Sequence, residues 1–136
     1  MIIPAKYLFV KRSTIPHAGL GLFTRRAISK GALIAEYKGK ISTWKEAEHN
    51  NGTNPYILFL NNNHVIDALP FKRALARFAN DAKGFHKKRG KVNNASYVSY
   101  NKRVYIQATK NIPAKSEILV SYGKEYWDTM KYNQSI

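Results

Sequence analysis

Near the C-terminal end stands Glu117-Ile118-Leu119-Val120-Ser121-Tyr122-Gly123, an acid, three aliphatic residues, a serine, a tyrosine and a glycine. It follows the turn-forming Ile112-Pro113-Ala114-Lys115 and reads as a short apolar strand, Glu117 to Tyr122, closed by a glycine. A tyrosine in such a run is by default a packing residue, so Tyr122 alone carries no function.

Working outward, the chain is a series of short runs broken by turn residues. Strands are expected at Tyr7–Lys11, Leu22–Thr24 and Ala32–Tyr37. Further strands are expected at Val92–Val98 and Arg103–Thr109, joined at Tyr100-Asn101. Tyr56–Leu60 and His64–Ala68 read as a hairpin around Asn61-Asn62-Asn63. Helical signals are few. Thr43 with Glu46 three residues on has the form of a capping box for a short helix over Trp44–Glu48. Phe71–Ala79 has helical periodicity through Leu75 and Phe78. The fold class is therefore mostly β, with short helices, in a single domain over 1–136. With 44% hydrophobic residues, including nine Tyr, six Phe and two Trp, the chain can build its own core.

Composition excludes several chemistries. There is no cysteine, which removes disulfides, zinc knuckles, iron–sulfur ligation and thiol catalysis together. His17, His49, His64 and His86 lack metal-ligand spacing, so no metal site is expected. No apolar run approaches the length of a membrane span, and Pro4 and Lys6 interrupt the apolar start, so neither a membrane partner nor a signal peptide is expected. The expected setting is intracellular, or delivery to a host nucleus or cytoplasm. Gly19-Leu20-Gly21 has the start of a dinucleotide fingerprint, but its sixth position is Thr24 in an extended run.

The net charge is +15, and it is uneven. Twelve of the 23 lysines and arginines fall between residues 70 and 116, where Asp81 is the one acid. The densest run, Phe85-His86-Lys87-Lys88-Arg89-Gly90-Lys91, suits a polyanion such as nucleic acid. It is equally compatible with a solvated loop.

Five short motifs occur in order: Gly19-Leu20-Gly21, Tyr37-Lys38-Gly39, Ile66-Asp67-Ala68, Arg77-Phe78-Ala79-Asn80 and Glu117 to Gly123. In that order and spacing, from about Tyr7 to Trp127, the chain resembles the SET-domain protein-lysine methyltransferases, and in particular minimal viral and bacterial members without cysteine-rich flanks. The resemblance implies several small sheets with a C-terminal segment threaded beneath a loop, an exception to the usual avoidance of knots. It implies S-adenosylmethionine as cofactor, with Gly19, Leu20, Gly21, Arg77, Phe78, Asn80, Asp81 and Trp127 around it. It implies Tyr122 as the active-site tyrosine, assisted by Tyr56, and Val120 and Tyr105 along the channel for the substrate lysine. Val120 stands where the family often carries Phe or Tyr, which implies room for di- or trimethylation.

Two departures accompany the resemblance. The family reads Arg-Phe-x-Asn-His-Ser-Cys-x-Pro-Asn, whereas this chain has Arg77-Phe78-Ala79-Asn80-Asp81-Ala82-Lys83, with Asp81 in the histidine position. The Pro-Asn counterpart falls at Asn93-Asn94, after a basic insertion near 83–91. The implied partner is a lysine-bearing protein, such as a histone or another nucleic-acid-associated protein. A +15 chain repels an isolated basic tail, so a nucleosome, ribonucleoprotein or acidic protein is easier to approach. The basic 70–116 segment offers a nucleic-acid contact, and a dimer stays open. A second reading also stays open: a non-enzymatic basic module that binds nucleic acid and keeps a SET-like fold.

Overall fold

A computed structural model describes residues 2–46, 57–61, 64–68, 70, 74–82 and 90–122. Period-two alternation is clear at Arg103–Ala108, whereas Leu20–Thr24 and His64–Asp67 are buried over most of their length. Strand β1 (Leu8–Arg12) pairs antiparallel with β2 (Leu20–Thr24), Leu8 opposite Thr24 and Arg12 opposite Leu20. Strands β3 (Leu33–Glu36) and β4 (Lys40–Ser42) follow. Next come β5 (Ile57–Asn61) and β6 (His64–Asp67), then the hairpin of β7 (Ala95–Tyr100) and β8 (Arg103–Ala108), and last β9 (Glu117–Ile118). They form three three-stranded sheets, ordered β1-β2-β9, β3-β8-β7 and β4-β6-β5. One apolar cluster joins the sheets: Leu8 and Leu22 from the first, Ile34, Val104 and Ile106 from the second, and Ile66 from the third.

The expected β-rich architecture of small sheets is present, and several boundaries differ. The β7–β8 turn is Asn101-Lys102, one residue later than expected, and both residues have positive φ (51° and 66°). Two consecutive positive φ values are the mark of a type I′ hairpin turn, whose twist matches that of the strands. One of the two capping contacts forms, the Glu46 N–H donating to Thr43 Oγ1 at 3.2 Å, while the Glu46 carboxylate accepts from the Thr43 hydroxyl at 2.8 Å. They close a turn at Trp44–Glu46, and the rest of the expected helix lies outside the described residues. Of Phe71–Ala79, a single 3-10 turn forms at Leu75–Phe78, with residues 71–73 outside the described set. Strand β4 was not foreseen. It adds to the edge of β6, with Ile41 opposite Ile66 and largely exposed.

The largest difference is at the C-terminal segment. The expected strand Glu117–Tyr122 is a ladder only at Glu117–Ile118, against β2. Beyond it the backbone changes partners: Leu119 bridges Asn80 and Val120 bridges Ala95, both in parallel. The Val120 N–H donates to the Asn80 carbonyl at 2.8 Å, while the Asn94 and Ala95 N–H groups donate to the Leu119 carbonyl at 2.9 and 3.1 Å. The segment thus runs between the two ends of the connection from residue 80 to residue 95. The ladder with β2 therefore stops at Ile118, where the bonding passes to the backbones of Asn80 and of Asn94-Ala95.

Candidate functional site

Gly19 and Gly21 stand two residues apart for different reasons. Gly19 has φ +73°, a conformation that a side chain disfavours, and the space where a Cβ would sit is open. Gly21 is buried, and a Cβ there would collide with the Glu117 carboxylate. Glu117, only 5% exposed, is satisfied without a cation. Its Oε1 accepts from the Thr14 N–H at 2.9 Å and the Thr14 hydroxyl at 2.6 Å, and its Oε2 accepts from the Ser13 hydroxyl at 2.6 Å. The Ser13 Oγ in turn accepts from the Ile15 N–H at 3.0 Å. A buried carboxylate requires such donors, each worth about 1.5–3 kcal/mol. With Ser13 N–H donating to the Gly19 carbonyl at 2.8 Å, they close the loop that presents Gly19 and Leu20.

The opposite wall begins at the 3-10 turn. Arg77 on this turn donates from Nη1 to the Ala68 carbonyl at 3.0 Å, and its guanidinium lies 5.0 Å from the centroid of the Phe78 ring. This ties the turn to the end of β6. Asn80 follows in extended backbone and donates from Nδ2 to the Leu20 carbonyl at 2.9 Å. One carboxamide thereby joins the glycine loop to the segment that Val120 crosses.

Asp81, 4% exposed, holds two elements together. Its Oδ1 accepts from Asn93 Nδ2 and its Oδ2 from the Tyr122 N–H, both at 2.8 Å. Asn93 returns its Oδ1 to the Ala82 N–H at 2.8 Å. Asn94 braces the same segment one step earlier, accepting from the Leu119 N–H at 2.9 Å and donating to the Glu117 carbonyl at 3.0 Å. The Tyr122 hydroxyl donates to the Ala79 carbonyl at 2.5 Å. A phenol whose proton is committed to a carbonyl offers its oxygen lone pairs as an acceptor of fixed position.

Six of the expected residues therefore come together through direct bonds or neighbouring backbone: Gly19, Leu20, Gly21, Asn80, Asp81 and Tyr122. Arg77 and Phe78 stand on the adjoining turn, with Phe78 packed against the core. Val120 is completely buried in that core. Tyr105 does not join them. It alternates with Val104, Ile106 and Ala108, which are buried, so its ring is on the other face of β8, 6.3 Å from Tyr100. The core-facing tyrosine of this sheet is Tyr97, edge-on to Tyr37 at 5.7 Å and packed, as Tyr122 is, against the main core. Tyr56, Trp127 and residues 83–89 of the basic insertion lie outside the described residues.

Sequence reading missed Glu117, taken only as the first residue of a strand, and the Ser13-Thr14 hydroxyls that serve it. The signal available was an acid between a turn and an apolar run, where a strand facing the core has no ordinary use for one.

A sequence model of the SET domain matches residues 19–123. The chain is 32% identical over 120 residues to "Histone-lysine N-methyltransferase ASHH1" of Arabidopsis thaliana, a match covering 83% of this chain and 23% of that protein. The chain thus spans less than a quarter of that relative's length. Among solved structures, the methyltransferase domain of human PR domain-containing protein 2 is similar with a TM-score of 0.65, over 88% of this chain and 78% of that one. At 20% identity that likeness concerns the fold.

Proposed function

Because this chain belongs to the SET-domain family, we propose that it is a protein-lysine N-methyltransferase that draws its methyl group from S-adenosylmethionine. The observation that carries the reading is the placement of Tyr122: its hydroxyl is bound to the Ala79 carbonyl and its backbone to Asp81, on a segment bonded to Asn80. Asn80 in turn contacts the Leu20 carbonyl beside Gly19.

The residues fit the cofactor in kind. Gly19 leaves open the space that a Cβ would fill, and the half-exposed Leu20 and the Asn80 carboxamide adjoin it. These neutral groups suit a zwitterionic amino-acid end, and the backbone can approach a ligand closely at a glycine. Bound there, the cofactor supplies an electrophilic methyl on a sulfonium. Asp81 departs from the family histidine, and its carboxylate is engaged by Asn93 and the Tyr122 N–H, so its side chain acts by positioning Tyr122.

The chain's own part begins with the substrate amine. A free lysine has pKa about 10.4, so deprotonating it at pH 7 costs about 4.6 kcal/mol at 1.36 kcal/mol per unit. Desolvation against an apolar lining lowers that cost by disfavouring the charged form, and the proton leaves to solvent before attack. No dedicated base is required. Tyr122 accepts a hydrogen bond from the neutral amine and aims its lone pair. Positioning of this kind removes much of the entropic part of the barrier. Val120 stands where the family often carries Phe or Tyr, and on that resemblance di- and trimethylated products are expected, although its side chain is enclosed by the core. The substrate in this reading is a lysine on a histone or another nucleic-acid-associated protein.

The test pairs calorimetry with S-adenosylmethionine and methyl-transfer assays on nucleosomes, ribosomes and protein extracts. Tyr122→Phe is expected to lower turnover about 100-fold or more while cofactor binding persists, the loss typical of removing one preorganised polar group. Turnover near that of the wild type would sink the assignment of Tyr122. Absence of any binding heat would favour the non-enzymatic basic module instead.

A further inference from the structure

The Phe9–Phe23 end of the outer face of the β1–β2 ribbon makes none of the hydrogen bonds described above. Phe9 and Phe23, opposite each other in register, stack at 5.5 Å. Lys11 Nζ lies 4.6 Å from the Phe23 centroid, and the Arg25 guanidinium lies 4.8 Å from that of Phe9. Beside them Tyr7 carries the Arg26 guanidinium at 4.2 Å and Lys6 Nζ at 5.2 Å. All four cations are exposed. Among the described residues none of them pairs with a carboxylate. Glu117 lies on this same face, opposite Phe23, but Ser13 and Thr14 take up its oxygens.

We propose that this face docks the phosphate backbone of double-stranded nucleic acid. Three features favour that occupant. The cations are ordered in advance: each rests on a ring, and the bend before Arg25 and Arg26 is fixed by the Thr24 hydroxyl, which donates to the Arg26 carbonyl at 2.7 Å. Ordered guanidinium groups lose less entropy on gripping a phosphate, and their planar fork matches it. Phe23 is 2% exposed, and Phe9 and Tyr7 are half-buried with a guanidinium over each, so the face has little open ring for stacking unpaired bases. Duplex DNA carries about one charge per 1.7 Å of axis, so several phosphates fall within a patch that spans about 13 Å along the strands between the Lys11 and Arg25 positions. Contact with phosphates alone is indifferent to sequence.

Fluorescence anisotropy with 20-base-pair duplexes over a salt series tests the proposal. Lys11→Gln with Arg25→Gln is expected to reduce the slope of log affinity against log salt by about 1.8, at about 0.9 per lost phosphate contact. Adding Lys6→Gln and Arg26→Gln brings the reduction to about 3.6 on the same basis. Arg25→Lys with Arg26→Lys keeps the charge and is expected to keep the slope. Thermal unfolding of each variant, and the single change Lys11→Gln with an expected loss of about 0.9 in slope, guard against misfolding. Unchanged slope and affinity in the double variant would overturn the proposal. So would tighter binding of single strands or of an acidic polypeptide than of duplex, or a strong dependence on duplex sequence.

Discussion

At Gly21 the outer face of β2 lies under a carboxylate. At Phe23 and Arg25, further along the same face, it lies under cations. Lys11 stands directly opposite Gly21 in register, within a residue or two of Glu117, yet its ammonium rests on the Phe23 ring. A chain of net charge +15 has cations to spare for that buried anion, and hydroxyls with a backbone N–H bind it instead. Short neutral donors lose little entropy and hold one geometry, which a loop that must present Gly19 needs. Long cationic side chains left on the surface keep their field for what approaches from solvent. One end of the strand is built for geometry and the other for charge.

The comparison breaks most readily at Glu117. Glu117→Ala removes the acceptor for three buried or partly buried donors and is expected to cost about 3 kcal/mol or more. Denaturant unfolding measures it, and hydrogen exchange over residues 13–19 should rise with it. A cost of under about 0.5 kcal/mol, the usual size for a surface change, would mean that the carboxylate does not organise the loop. Next in size is Gly21→Ala, expected to cost about 1–3 kcal/mol by overpacking against the same carboxylate. The two changes should be strongly non-additive in a double-mutant cycle, because both act on one contact. The smallest effect belongs to the charged end. Lys11→Gln is expected to cost about 0.5–1 kcal/mol, the worth of an exposed cation on a ring. A larger cost there than at Glu117 would reverse the assignment of the two ends.

Much of the fold was legible because alternation is local. Val104, Ile106 and Ala108 announce both a strand and its buried face, and Asn101 announces the turn before it. The same alternation places Tyr105 with Arg103 and Gln107, on the face away from the core, where the resemblance to a family implied a position along the substrate channel. Glu117 and Tyr122 show what sequence could not carry. Their surroundings come from Ser13, Thr14, Ala79 and Asp81, distant in the chain and brought to them by the crossing of the C-terminal segment. Asn80 and Asp81 were legible as candidates but not as joints, because a carboxamide or carboxylate gives no sign of which backbone group it will meet. The end of β9 at Ile118 was hidden for a similar reason: the apolar run continues to Val120, and only the change of bonding partner stops the ladder.

The passage of the C-terminal segment between the two ends of the 80–95 connection also governs how the molecule reaches its native state. Ser13 and Glu117 are 104 residues apart in the chain, and closing a loop of that order costs about 4 kcal/mol in chain entropy before the contact contributes anything. Folds dominated by such distant pairings form over milliseconds to seconds, slowly for their size. Tyr122 meets Ala79 and Asp81 only when the segment is home. Its site is therefore complete only where the segment is in place, and sheet formed without it carries none.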